Sequence, residues 1–171
     1  MRRILKSRRG LVFVGGLAIG VAALTGVALA TAPSGVLSGT IIARGLFLVP
    51  VDMKFKVDNG PQEVIHVPGA RQTVIQQIIL APNGQTGWHS HPGPALALIK
   101  SGSLTLLSGE SGTCSSQTYA AGQAFLEHGQ GHVHLGMNLS TTENTEVWVT
   151  YFDVTPGGPV RTDEAAPAAC E

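Results

Sequence analysis

The sequence of this 171-residue chain predicts an all-β domain, built as an antiparallel sandwich or barrel. Beyond residue 30, short runs of β-branched and aromatic residues recur, and no convincing amphipathic helical pattern interrupts them. Gly, Pro, Asn and Ser separate these runs at short intervals, and these residues favour tight turns. Short strands joined by short turns are typical of antiparallel sandwiches and barrels.

The clearest predicted strand covers residues 51–57, where Val51, Met53, Phe55 and Val57 alternate with charged residues. A period of two is the signature of a half-buried strand. The other predicted strands are 64–67, 74–80, 96–100, 103–107 and 147–154. The predicted breaks are 68–69, 82–84, 101–102 and 109–112.

We expect a single domain over residues 31–171, with its barrel core at about 40–155. The ends differ in composition from the core. Residues 31–38 are small and include Pro, and the C-terminal tail 156–171 is rich in Pro, Ala and acidic residues. We expect both ends to be extended coverings of the core.

Residues 1–30 predict a signal peptide. Five cations within the first nine residues precede an uncharged apolar stretch that ends in Ala28-Leu29-Ala30, a pattern that signal peptidases accept. Ser7-Arg8-Arg9 before apolar residues resembles a twin-arginine export signal, and the general secretory route is the alternative. The segment is also long enough to remain as a membrane anchor. We therefore expect an exported protein, extracellular, periplasmic or in the cell envelope.

Removal of the leader changes the charge balance. The whole chain has a formal charge of zero, but residues 31–171 carry six Lys and Arg against eleven Asp and Glu, a formal charge of −5. No basic stripe remains to bind phosphates, so nucleic acid is not an expected partner. Membrane contact is expected only through an uncleaved N-terminal segment.

The two cysteines, Cys114 and Cys170, predict a disulfide bond. Both lie in the part that would be exported, and a pair of cysteines in an oxidising compartment is typical of a disulfide. The bond would hold the C-terminal tail against the loop that follows residues 109–112. Two free thiols in a cytosolic protein are the alternative, which the leader disfavours.

Two histidine pairs suggest a metal site. His89 and His91 form one His-x-His pair, and His132 and His134 form another. Side chains at i and i+2 leave the same face of a strand, so imidazoles from two strands can converge. Such donors suit a divalent transition metal: Zn, Fe, Mn, Ni or Cu. A solvated strand face is the ordinary alternative for a lone His-x-His.

The segment 84–138 resembles the two sequence motifs of the cupin superfamily. The residues that match the first motif are Gly84, His89, His91 and Gly102. The residues that match the second are Gly122, His134 and Asn138, the last two forming its His-x-x-x-Asn end. The resemblance implies an antiparallel jelly-roll barrel with one metal near its centre, held by His89, His91 and His134. Cupins often pair through sheet edges, so a homodimer is also expected.

The chain departs from the family pattern in two places. Ala95 lies where the family usually has a liganding Glu, and His128-Gly129-Gln130-Gly131 replaces the Pro-x-Gly turn. A site of three neutral imidazoles would leave a dication at +2 and favour hydroxide or an anionic small-molecule ligand. Two further outcomes stay open: His132 supplies a fourth nitrogen, or the loss of Glu leaves an empty pocket.

The remaining candidates leave the activity open. Glu127 and His128 are acid–base candidates at the barrel mouth, but a solvated turn is the preferred interpretation of both. The predicted pocket wall is mostly apolar: Ala95, Ala97, Ile99, Leu104, Leu106 and Phe125. With no clear proton-transfer group facing the metal, a metal-binding and small-molecule-binding module is slightly favoured over a three-His dioxygenase-like enzyme.

Overall fold

The computed structural model describes residues 30–57, 63–110 and 112–171. The predicted leader therefore lies outside the described residues, apart from Ala30. Among the described residues, no helix has the length and apolar character needed to cross a membrane.

Within the described ranges, ten strands form one sheet that curls into a nearly closed antiparallel barrel. The strands are β1 Ser34–Val57, β2 Glu63–Gln85, β3 His89–Ser90, β4 Ala95–Ser101, β5 Ser103–Glu110, β6 Thr113–Ala120, β7 Ala124–Glu127, β8 His134–Met137, β9 Thr145–Phe152 and β10 Thr162–Asp163. Their spatial order is β10-β3-β8-β2-β9-β4-β7, with β1 beside β2, and β5 between β8 and β6. The predicted all-β jelly-roll barrel is confirmed.

The core follows from side-chain alternation on the central strands. In β9, Val147, Val149 and Tyr151 are buried, while the residues between them are half-buried or exposed. In β4, Ala95 and Ala97 point into the same core, and they lie opposite Tyr151 and Val149. The small alanines face large neighbours across the strand pair, so the barrel interior keeps space beside the aromatic ring.

The first strand begins earlier than the expected core boundary of about 40. Residues 34–38 were expected to be an extended covering, but β1 starts at Ser34 and pairs with β2 along most of its length. Register shifts near Leu46 and Val51 interrupt this long hairpin. A strand that pairs on only one side needs no buried alternation, which is why the sequence did not reveal it.

The C-terminal tail is tied to the barrel at several points. Asp163 of β10 pairs with His89 of β3, and the backbone N–H of Thr31 donates to the carbonyl of Glu164 at 3.2 Å. Cys114 and Cys170 form the predicted disulfide, with their Cα atoms 5.1 Å apart. The tail is therefore fixed against the strand that carries the first histidine pair.

We expect the Cys114→Ser, Cys170→Ser variant to lose about 4 kcal/mol of unfolding free energy, because the crosslink closes a long loop in the unfolded chain. Urea unfolding of the oxidised parent and the variant measures this difference. Ser116→Ala, a change at an exposed β6 position, should unfold like the parent. Equal midpoints for the parent and the double variant would contradict the stabilising role.

Candidate metal centre

The barrel brings His89, His91 and His134 together. His89 in β3 lies directly opposite His134 in β8, and His91 follows β3 immediately. The ring centroids are 4.4 Å apart for His89 and His134, 4.8 Å for His89 and His91, and 5.0 Å for His91 and His134. One ligand nitrogen from each ring lies within 4.8 Å of the others.

Backbone carbonyls orient all three rings through Nδ1. Nδ1 of His89 lies 2.8 Å from the carbonyl of Gly87, and Nδ1 of His91 lies 2.7 Å from that of Val160. Nδ1 of His134 lies 3.3 Å from the carbonyl of His132. A carbonyl can only accept, so each Nδ1 carries the hydrogen and each neutral ring keeps its lone pair on Nε2. Outer partners of this kind typically fix metal-ligating histidines.

Burial keeps the rings of His89 and His134 neutral at ordinary pH. All three are buried, with His134 only 1% exposed. Desolvation, together with the fields of His134, His91 and Arg161, lowers the pKa of His89 to about 2. Desolvation lowers the pKa of His134 to about 4, although the nearby Glu127 carboxylate opposes this shift. Neutral imidazole is the form that binds a metal.

A buried carboxylate completes the site. Oε2 of Glu127 lies 3.0 Å from Nε2 of His91, and Oε1 lies 3.3 Å from Nε2 of His134. The interpretation of Glu127 as part of a solvated turn is therefore wrong. Strand β7 extends through Glu127 and pairs it with Ala95. The signal for this placement is Phe125, a predicted wall residue two positions before Glu127. Because residues two apart in a strand share a face, Glu127 should also face the interior.

The pKa of Glu127 is lowered, and two polar atoms at the site are buried without a hydrogen-bond partner. Burial alone would raise the pKa of Glu127, but the close approach of its carboxylate to His134 and its contact with His91 lower that pKa to about 2. Among the described residues, Glu127 Oε2 and His134 Nε2 are buried polar atoms without a hydrogen-bond partner. Buried unpaired polar atoms in a native fold point to an ion or ligand.

The other two histidines of the second half lie outside this group. The ring of His132 is stacked 6.3 Å from the ring of His134, and its Nε2 lies 3.2 Å from Oγ of Ser108. The ring of His128 lies 5.4 Å from that of His132. Between them, Gly129 has a φ of +67°, and a Cβ at this position would collide with the carbonyl oxygen of Gly93. A glycine is therefore required where this turn passes the loop after β3.

The side chain of Asn138 fixes the loop that follows β8. Its Nδ2 donates to the carbonyls of Ala81 at 2.9 Å and Glu143 at 2.8 Å, and its Oδ1 accepts from the N–H of Ser140 at 3.0 Å. The fully buried side chain holds the loop after β8 against the end of β2, which keeps β8 and His134 in place.

Two cavities reach the histidines. The central one measures about 30 Å³, room for about two water-sized groups. Four predicted wall residues line it: Ala97, Leu104, Leu106 and Phe125. A wider groove of about 280 Å³, bordered by Gln76 and Arg161, shares Thr86, His89 and Tyr151 with it. A ligand in the groove would therefore reach the metal site past His89.

The placement of the two motif segments decides the type of fold. Both lie on neighbouring inner strands, and their histidines face one point inside the barrel. The fold is a barrel of the kind that the resemblance to cupins implies. The sequence matches no family model and no curated protein. The barrel itself brings the three histidines together and buries Asn138.

Solved structures with a similar course of the chain include several proteins with cupin folds. An oxalate oxidase in complex with glycolate is 23% identical, with 53% of this chain and 45% of that chain covered and a TM-score of 0.45. A cupin domain from Bordetella pertussis Tohama I is 18% identical, with 61% and 96% covered and a TM-score of 0.40. The vicilin of Solanum melongena is 24% identical, with 55% and 25% covered and a TM-score of 0.49. This chain thus spans less than half of the oxalate oxidase and a quarter of the vicilin.

Proposed function

We propose that this cupin-like barrel binds one divalent transition metal through His89, His91 and His134 and presents it to a small-molecule ligand. The observation that carries the proposal is the convergence of three buried imidazoles whose Nδ1 atoms all face backbone carbonyls. In each neutral ring the free lone pair is therefore on Nε2, and the ligand nitrogens of the three rings lie close together. A solvated strand face, the ordinary alternative for His-x-His, does not fit rings buried to this degree.

The donor set suits Zn, Fe, Mn, Ni or Cu, because imidazole is a borderline ligand and carboxylate a hard one. The orphaned Nε2 of His134 and Oε2 of Glu127 support occupation of this point by a cation. A bound metal would supply a positive charge that attracts an anionic ligand or polarises a bound one.

The groove beside the site is the proposed ligand position. It carries the Tyr151 hydroxyl, which donates to Oε1 of Gln76 at 2.8 Å. It also carries the Arg161 guanidinium, which pairs with Asp163 and donates to the carbonyl of Thr86 at 2.9 Å. These polar groups lie within a largely apolar wall and suit a small organic anion, a class for which a few convergent polar groups give orientation.

Metal analysis tests this function. Purified protein should contain, or take up after reconstitution, about one equivalent of a transition metal, measured by inductively coupled plasma mass spectrometry. The His89→Ala, His134→Ala double variant should contain almost none. His66→Ala removes an exposed histidine of β2 and should retain the parental content. A parent protein that stays metal-free after reconstitution would refute the proposal.

Glu127 supports a second candidate function, a metal-dependent small-molecule enzyme. The absence of a proton-transfer group near the metal had favoured a binding module, but a buried carboxylate lies 3.0 Å from His91. Groups of this kind transfer protons in many active sites. Oxygen consumption with Fe(II) and a panel of small thiols and carboxylic acids distinguishes the two candidates, because a binding module stays silent with every substrate.

The disulfide indicates an oxidising, exported environment. We infer that the protein works outside the cytoplasm, and that residues 1–30 serve as the export signal or anchor.

A further inference from the structure

The barrel contains a carboxylate close to the position that the first motif leaves empty. Ala95 occupies the place of the usual liganding Glu, and Glu127 is its direct partner on the neighbouring strand β7. Residues directly opposite each other in an antiparallel pair point to the same face of the sheet, with Cβ atoms about 5 Å apart. The side chain of Glu127 therefore points into the same interior region as a side chain at position 95, but from the neighbouring strand.

We propose that Glu127 is the fourth protein ligand of the metal, replacing from β7 the carboxylate that is missing at Ala95 on β4. This inference rests on the proposed metal-binding function and identifies a ligand outside both motifs. It requires the small side chain at position 95, because a larger one would compete with Glu127 for the same space.

The contacts of the carboxylate with the histidines carry this proposal. The Nδ1 atoms of His91 and His134 face carbonyl oxygens, so their Nε2 atoms bear lone pairs in the neutral rings. Each Nε2 nevertheless lies 3.0 to 3.3 Å from an oxygen of Glu127. At this separation each nitrogen–oxygen contact needs a proton or a cation between the two atoms, and a single cation can serve both contacts at once. A divalent cation bound by all three side chains satisfies every one of these atoms at once.

Charge balance leads to the same assignment. An unpaired buried carboxylate is costly to keep inside a protein. Arg161 does not compensate it, because its guanidinium is engaged with Asp163 and the carbonyl of Thr86. With Glu127 as a ligand, the metal centre carries a net charge of +1 rather than the +2 expected for three imidazoles alone.

Glu127 is a better fourth ligand than His132. The ring of His132 stacks at 6.3 Å from that of His134, and its Nε2 is engaged with Oγ of Ser108. Moving it to the metal would break that contact and swing the ring past His134. The Glu127 oxygens already lie at the Nε2 atoms of the histidines, and no backbone movement is needed.

The test is an isothermal calorimetric titration of the folded parent and of Glu127 variants with Zn(II) and with Mn(II). Glu127→Gln keeps the shape and removes the charge, and Glu127→Asp keeps the charge and withdraws the oxygens by one methylene. Both should raise the dissociation constant by at least about 100-fold, since loss of an outer-shell partner alone costs 10- to 100-fold. Glu143→Gln, the same change at an exposed position, should bind like the parent.

A transposed variant provides the sharpest control. Ala95→Glu combined with Glu127→Ala moves the carboxylate from β7 back to β4. This double variant should bind the metal at least tenfold more tightly than Glu127→Ala alone. Near-UV circular dichroism verifies that each variant is folded. If Glu127→Gln does not fold, X-ray absorption of the zinc-loaded parent decides, with three imidazoles and a carboxylate oxygen expected around the metal.

The outcomes separate this inference from the function on which it rests. A parent that binds one equivalent while Glu127→Gln binds within threefold of it would overturn the role of Glu127 and leave the three-histidine site intact. Weak binding by Glu127→Gln with full binding by Glu127→Asp would mean that the charge acts without ligation, which also overturns the proposal. A parent that binds neither ion would overturn the metal function itself.

Discussion

Zinc at a thousand times its dissociation constant is expected to raise the free energy of unfolding of this protein by about 4 kcal/mol. The reason is that the three buried imidazoles converge only in the folded barrel, since His91 and His134 are far apart in the chain. A ligand that binds the folded state alone stabilises it by mass action. Guanidinium unfolding with and without zinc, followed by tryptophan fluorescence, measures the difference.

Two variants test whether the stabilisation by zinc arises at the histidine site. His89→Ala combined with His134→Ala should abolish the zinc-dependent increase, because a single remaining imidazole holds the ion weakly. His66→Ala should preserve it, since His66 is exposed on β2. An equal increase in the parent and the double variant would show that zinc binds elsewhere.

The metal-free protein is expected to lose about 4 kcal/mol of unfolding free energy between pH 6.5 and pH 4.5. In the unfolded chain a histidine takes up a proton below about pH 6.5. In the folded chain burial lowers the pKa of His89 to about 2 and that of His134 to about 4. The unfolded state therefore binds more protons in this window. The stability that these residues contribute is complete above pH 6.5 and is lost as the pH falls.

Replacement of both rings with an uncharged amide tests the origin of the pH dependence. His89→Gln combined with His134→Gln removes the two groups whose pKa values are lowered, so urea midpoints should vary much less over the same range. Bound zinc should leave the curve of the parent at least as steep, because the ion keeps protons off the folded histidines while the histidines of the unfolded chain still take them up. A parent whose midpoint is constant from pH 6.5 to 4.5 would contradict the prediction.

The histidine site could be predicted because its signals are local. His-x-His places both side chains on one face of a strand through backbone geometry alone, and the His-x-x-x-Asn segment supplied the third ring. The same holds for the disulfide, since only two cysteines are available. Glu127 was missed although its spacing from Phe125 carried the information, because no strand is predicted over this segment and the sequence after it is rich in glycine.

Some of the site depends on contacts between distant segments. The carbonyl that orients His91 belongs to Val160 in the C-terminal tail, and no local pattern in the tail indicates it. The opposition of Ala95 and Glu127 depends on β4 and β7 being neighbours, which sequence spacing does not specify. The first part of β1, residues 34–50, was likewise hidden because it shows little alternation, whereas its end, residues 51–57, is the clearest strand that the sequence predicts.

By itself, the sequence determined the strand rhythm, the faces of the strands, the ligand types and the crosslink, because side-chain alternation and donor chemistry are properties of short segments. Only the tertiary structure decided which strands are adjacent, that Glu127 meets His91 and His134, and that the tail closes over the site. The physical reason is that burial and long-range pairing bring together residues that are far apart in the chain. Glu127, an acid expected in a solvated turn, becomes a carboxylate held beside His91 and His134.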